Sequence, residues 1–249
     1  MTQTILITGA SSGLGEEMAR QLAARGYDLA LCARRLDRLE ALRDEIAAAH
    51  PARRVEVRAL DVTDDDQVFS VFQAFRADFG TLDRIVVNAG IGKGAPLGTG
   101  RYDANRETAM TNFVAVLAQA EAATEILRDQ GHGHLVLVSS MAAMRGLPKA
   151  QTTYAATKAG VTSLGQGLQA DLYGTPIKVT LLHPGYIVSG MNVVDGKLPR
   201  LMATTEDGVR AMVDAIEKEK REACVPPWPW TPLSFVLRHA PLSMVRRMV

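Results

Sequence analysis

Short runs of β-branched and aliphatic residues alternate along this chain with longer stretches whose apolar positions recur every three or four residues. The runs lie at about Thr4–Thr8, Asp28–Ala33, Arg54–Leu60, Arg84–Asn88, His134–Ser139 and Lys178–His183. Several are apolar nearly throughout, as strands covered by helices on both faces should be. Helical periodicity predicts helices over about Leu14–Arg25, Leu36–Ala49, Asp64–Phe79, Tyr102–Asp129, Thr153–Tyr173 and Glu206–Lys220. A short apolar piece, Ala223–Val225, is a candidate seventh strand. Strand and helix in turn is the rhythm of βαβ units, which implies an α/β fold with a parallel sheet. The segments left loose are Gly90–Gly100, Gly190–Thr205 and the proline-rich Pro226–Pro232. None is long enough to separate domains, and there is no internal repeat, so one domain over 1–249 is expected.

Composition narrows the setting. The chain has 249 residues, 47% of them apolar, enough for a substantial core. A net charge of +1 argues against a nucleic-acid footprint and a strongly basic membrane surface. Cys32 and Cys224 are the two cysteines. They form neither a disulfide framework nor a metal-like or redox-like spacing, so a reducing, cytoplasmic compartment is expected. The opening MTQTILITGA reads as a strand entering a turn, with no signal peptide before it. No run of about 18 apolar residues predicts a membrane span.

The first strand ends in Thr8-Gly9-Ala10-Ser11-Ser12-Gly13-Leu14-Gly15, and a helix follows at once. Glycines here let the chain turn tightly, bring bare backbone against a pyrophosphate and pack helix close to strand. The new helix offers free N–H groups and a positive dipole end, and Ser11 and Ser12 add hydroxyls. The second strand ends in Ala33-Arg34-Arg35. An acidic residue at that place would bind a ribose diol and favour NAD(H). Guanidinium groups favour the 2′-phosphate of NADP(H), by paired bonds and by stacking on adenine.

Tyr154 and Lys158 stand four residues apart at the start of a predicted helix, so hydroxyl and ammonium share one face. A free tyrosine titrates near about pH 10, too high for base chemistry at neutral pH. A nearby ammonium and an oxidised nicotinamide would lower that value. Ser140 follows the fifth strand at the carboxyl edge of the sheet, where open α/β folds bind ligands, and could hydrogen-bond a substrate oxygen. Asn112, inside a long helical pattern, could hold a water for proton relay.

Together these segments resemble the short-chain dehydrogenase/reductase family in its compact form, over about Thr4 to Lys220. The resemblance rests on the glycine turn, on Asp61-Val62 after the third strand and on Asn88-Ala89-Gly90 after the fourth. It rests also on Asn112, Ser140, Tyr154 and Lys158, and on Pro184-Gly185 after the sixth strand. It implies a doubly wound Rossmann fold of about seven parallel strands in the order 3-2-1-4-5-6-7, with helices on both faces and a site at the carboxyl ends of strands four to six. It implies an oxidoreductase that moves a hydride between nicotinamide and a carbonyl or secondary alcohol carbon. Tyr154 would be the acid/base, Ser140 would fix the oxygen, Lys158 would hold the nicotinamide ribose, and Asn112 would carry the relay water. Asp61 and Val62 would contact adenine, and Asn88 would brace the sheet beside Ala89 and Gly90. Ile187 and Ser189 would meet the carboxamide. A homodimer or homotetramer through the helices at 102–129 and 153–173 is also implied. The spacing from Ser140 to Tyr154 is one residue longer than the family's usual one. Ser189 stands where threonine is usual; it keeps the hydroxyl.

Two histidines, His132 and His134, lack a third ligand and read as a turn and strand start rather than a metal site. His183, before the Pro-Gly turn, reads as structural. The acidic run Asp64–Asp66 reads as a helix start. The tail from Pro227 carries apolar residues at helical spacing with Arg238, Arg246 and Arg247 among them, and Pro241 separates two short helices. It could shape the pocket, form a subunit contact or lie on a membrane; packing or subunit contact is the preferred reading over the membrane. Met191, Val193, Val194, Leu198, Leu201, Met202 and Trp230 in a mobile lid (Gly190–Thr205) and the tail point to an apolar, lipid-like small-molecule substrate. A 3-oxoacyl thioester reductase would use the same chemistry. A non-catalytic NADP(H)-sensing protein is the rival class, and it would have no need of the tyrosine–lysine pair.

Overall fold

The computed structural model describes residues 2–188 and 202–248. Its sheet has seven strands: β1 (Thr4–Thr8), β2 (Asp28–Ala33), β3 (Val55–Ala59), β4 (Arg84–Val87), β5 (Gly133–Val138), β6 (Ile177–Pro184) and β7 (Glu222–Val225). They run in the order β3-β2-β1-β4-β5-β6-β7, and every neighbouring pair is parallel. This is the expected doubly wound sheet, with each strand within about two residues of its predicted ends.

The two cores follow from the alternation of side chains along the strands. On one face Ile5, Ile7, Leu29, Leu31, Val136 and Val138 meet α1 (Gly13–Ala24), α2 (Leu36–Ala49) and α7 (Thr205–Glu217) through Met18, Leu22, Leu39, Ile46, Met212 and Ile216. On the other, Leu6, Ile85, Val87, Leu135 and Leu137 meet α3 (Asp65–Phe79), α5 (Ala115–Gln130) and α6 (Gln151–Asp171). The acidic run starts a helix as its charges suggest. The Asp64 carboxylate accepts from the Gln67 N–H, and Asp65 and Asp66 sit in the positive first turn of α3.

Two expectations need correcting. The stretch read as one helix over Tyr102–Asp129 is α4 (Tyr102–Ala109), a wide π-type turn at Met110–Val114, and then α5. Such a turn spans only five residues here, too few for sequence periodicity to reveal it. The proline-rich piece Pro226–Pro232 is not loose: it forms the start of α8 (Pro227–His239), which is kinked by extended backbone at Trp228. Pro241 separates α8 from α9 (Leu242–Met248), as read from the sequence.

His134 is structural. The Thr180 hydroxyl gives its one proton to Lys220 O at 2.6 Å, so it accepts from His134 Nε2 at 2.7 Å. That fixes the Nε2–H tautomer and leaves Nδ1 bare and buried without a partner. Burial and the Arg84 charge push this imidazole down to about 3. No metal-holding group of His, Cys, Asp and Glu occurs among the described residues.

Candidate active site

The glycine turn joins β1 to α1. Gly9 has φ +68°, and a Cβ there would lie 2.9 Å from Ala89 Cα. A Cβ on Gly15 would lie 2.7 Å from Asn88 Nδ2. The chain is this tight because Thr8 ties the strand ends together. Its buried hydroxyl accepts from the N–H groups of Asn88 (3.0 Å) and Ala89 (3.1 Å), while Asn88 Nδ2 donates to Thr8 O at 3.0 Å. Asn88 thus ties the end of β1 to the end of β4.

Ser12 stands at the cap position of α1 in extended backbone, and its side chain makes no capping bond. The first N–H groups of α1 therefore have no side-chain acceptor from the cap, and they face a cavity of about 610 Å³. Arg34, Arg35 and Arg38 line the same end of that cavity. Arg35 donates to Ser11 Oγ (3.0 Å) and Ser12 Oγ (2.6 Å), which holds its charge over the turn. Asp61 and Val62 line the cavity beside them; Asp61 accepts from the Thr63 hydroxyl at 2.8 Å. An uncapped helix start, a turn with no room for Cβ atoms and three guanidinium groups together fit a dinucleotide bearing phosphates.

The opposite end of the cavity holds the candidate acid/base group. Ser139 and Ser140 part company at the end of β5. Ser139 Oγ is bound to Lys158 O and Thr162 Oγ1, both at 2.9 Å, and is structural. Ser140 Oγ lies on the cavity wall with Tyr154 and accepts from the Ala142 N–H at 3.1 Å. Lys158 is buried, its Nζ donating to Val138 O at 2.9 Å and lying 5.9 Å from the centre of the Tyr154 ring. Burial pushes the lysine down to about 8. Within the polypeptide, desolvation pushes the Tyr154 phenol above its ordinary range, the Ser140 hydroxyl opposes this, and Tyr186 adds to it. The tyrosine is thus protonated at neutral pH.

Asn112 lies in the π-type turn and is fully buried. Its Oδ1 accepts from Ile91 N–H and its Nδ2 donates to Ile91 O, both at 2.8 Å. The amide therefore clamps the loop after β4 beside Gly90, where a Cβ would lie 3.2 Å from Oδ1 and 3.7 Å from Lys158 Nζ. Pro184, Gly185 and Ile187 complete the wall at the end of β6. Ser189 and most of the expected lid, including Met191, Val193, Val194, Leu198 and Leu201, lie outside the described residues.

Comparison with known proteins fits this geometry. A family model described as short chain dehydrogenase matches residues 3–197. The chain belongs to the short-chain dehydrogenases. It is 49% identical over 245 residues to an uncharacterized oxidoreductase of Mycobacterium tuberculosis, covering 98% of this chain and 96% of that protein. A short-chain dehydrogenase from Sphingobium yanoikuyae in complex with NADPH superposes with TM-score 0.83 at 26% identity, over 94% of this chain and 93% of that one. One from Burkholderia phymatum in complex with NAD gives 0.84 at 23% identity, over 98% and 95%, and shares the fold.

In this short-chain dehydrogenase, sequence reading missed two parts of the cavity that the geometry supplies. Arg38 lines it from the first turn of α2, close after Arg34 and Arg35 at the end of β2. Tyr186, edge-on to Trp230 with ring centres 5.5 Å apart, also lines it, with no sequence signal. The inner face of α8, one of the places the sequence offered for the tail, lines it too: Trp230, Leu233 and Leu237 roof the acid/base end. Trp230 packs directly on Gly185, where any Cβ would enter its indole. The tail thus shapes the pocket, and Arg238 secures it by donating to Glu222 at 3.1 Å, which also faces buried His183 at 3.0 Å. His183 does not line the cavity.

Proposed function

We propose that this oxidoreductase uses NADP(H) to interconvert an apolar carbonyl compound and its secondary alcohol. The observation that carries the reading is the shared cavity: Tyr154, Ser140 and Lys158 at one end, the glycine turn and arginines at the other. The bound nicotinamide would supply the hydride in reduction and take it up in oxidation. Ser140 Oγ would donate to the substrate oxygen, and Tyr154 would give that oxygen its proton. The phenol is protonated at neutral pH and so has a proton to give, and the positive charge of an oxidised nicotinamide, with the Lys158 ammonium, would lower it toward tyrosinate for the reverse direction. Lys158 keeps two N–H protons beyond the bond to Val138 O, and these would hold the nicotinamide ribose. Asn112 would fix the loop around a relay water. Arg34, Arg35 and Arg38 would take the 2′-phosphate, and no carboxylate stands at the end of β2 to prefer a free ribose diol.

The substrate end supports an apolar body. Met141, Leu147, Trp230, Leu233 and Leu237 wall it, and among the described lining residues Lys158 is the one charged group there. Pairing of copies through α4–α5 and α6 is proposed as well; α5 and the turn before it leave Leu117 and Val114 exposed. Titration with NADPH and NADH, followed by turnover of apolar ketones and aldehydes, tests the reading. NADPH should bind at least about tenfold tighter, near 1.4 kcal/mol, and the triple change of Arg34, Arg35 and Arg38 to alanine should erase the difference. Equal affinities would remove the NADP assignment, and no turnover of any carbonyl with either cofactor would remove the reaction.

A further inference from the structure

The chain's overall charge of +1 hides a local asymmetry. Residues 223–249 carry Arg238, Arg246 and Arg247 and no aspartate or glutamate. Among the described residues the same segment exposes large apolar side chains: Trp228 is 79% exposed, Phe235 67% and Leu242 71%, with Met244 and Val236 beside them. These are not spilled core residues. On α8 the inner positions Trp230, Leu233 and Leu237 face the cavity, so Phe235 and Val236 belong to a separate, outward face. Trp228, in extended backbone at the start of α8, stands out beside it. Helices with aromatic and aliphatic residues on one side and arginines next to them are built to lie in the headgroup region of a bilayer.

A second copy of this chain is a poorer occupant. A twofold contact puts the same patch on both partners. It would bring Arg246 of each copy towards that of the other, with no tail carboxylate to separate them, whereas Arg238 is already paired with Glu222. Anionic lipid answers both features at once, since it offers negative charge at the surface and hydrocarbon beneath. No helix among the described residues is long and apolar enough to cross a membrane, so the contact would be peripheral.

We propose that the outer face of α8 and α9 is a docking surface for anionic phospholipid membranes. Trp228, Phe235 and Leu242 enter the headgroup boundary, and Arg246 meets the lipid phosphates. The inference does not depend on the reaction proposed above, and its test reads no activity.

The test is co-sedimentation of the full chain with vesicles of phosphatidylcholine alone and with one-third phosphatidylglycerol, in 0.1 M and 0.5 M NaCl. The variants are Trp228→Ser/Phe235→Ser and Arg246→Gln; NADPH affinity and light-scattering mass are measured on each. The expected result is binding to the anionic vesicles at least about tenfold stronger than to phosphatidylcholine, weakened by salt. The double serine variant should lose it and Arg246→Gln should weaken it, with NADPH affinity unchanged. Three results would overturn the proposal: no sedimentation with either vesicle, equal binding by the variants, or conversion of a dimer to a monomer by the double serine change. The last would assign the face to a second copy.

Discussion

Replacing Thr8 by valine tests how the glycine turn is held. The two side chains have nearly the same shape, so the change removes a hydroxyl and little volume. That hydroxyl is fully buried and accepts from the N–H groups of Asn88 and Ala89 at 3.0 and 3.1 Å. Valine leaves both donors without their acceptor. Each such loss costs about 1–3 kcal/mol, and since both residues are half-buried the lower part of that range applies. The sum is about 2–3 kcal/mol. For a chain of this size, that lowers the unfolding midpoint by about 5–10 °C. The loss should also reach the cofactor, because Ala89 forms the floor against which Gly9 turns. NADPH should therefore bind more weakly to Thr8→Val. Thr8→Ser keeps the hydroxyl and gives up one methyl, about 1 kcal/mol. Urea unfolding followed by circular dichroism ranks wild type above serine above valine. Valine within about 0.5 kcal/mol of wild type, or serine below valine, would refute the reasoning.

Three further outcomes follow from the geometry. Stability should fall as the pH drops from about 6.5 to 4.5. The His134 imidazole is held at about 3, so the unfolded chain takes up a proton in that window and the native state does not. The effect is about 2 kcal/mol; His134→Gln should flatten it, and an unchanged slope in urea unfolding would count against the bare-Nδ1 argument. Gly185→Ala should cost about 1–3 kcal/mol and weaken substrate binding, because the new methyl enters the Trp230 indole. Adding Trp230→Leu should recover part of the stability loss, and simple additivity in thermal unfolding would show that the two do not meet. Asn112→Ala should destabilise by about 2 kcal/mol and loosen Ile91, seen as faster amide exchange at Ile91; full protection there would rule out the clamp.

How far the sequence reached depended on whether a feature was local. Strands β1 to β6 were legible because residues such as Ile5 to Ile7 and Leu135 to Val138 are apolar on both faces of the sheet. The glycine turn was legible because its position after a strand has one physical use. The π-type turn was not, since Met110–Val114 keeps a helical look and only the backbone bonding reveals it. Asn112 was singled out for a water. Its bonds to Ile91, twenty-one residues away, depend on the folded path of the chain. Ser139 and Ser140 look alike in sequence, and the strand end separates a buried brace from a cavity-wall hydroxyl. The tail's helices were legible from spacing, whereas the place of Trp230 over Gly185 was not, because forty-five residues of chain separate them.

The most direct test of the proposed reaction is Tyr154→Phe, with NADPH affinity and carbonyl turnover measured on one preparation. The change removes the hydroxyl and keeps the ring. Turnover should fall by about 10²–10⁴-fold while NADPH affinity stays within about threefold. Turnover within about tenfold of wild type would show that Tyr154 does not supply the proton, and the assignment of the acid/base end of the cavity would fall with it.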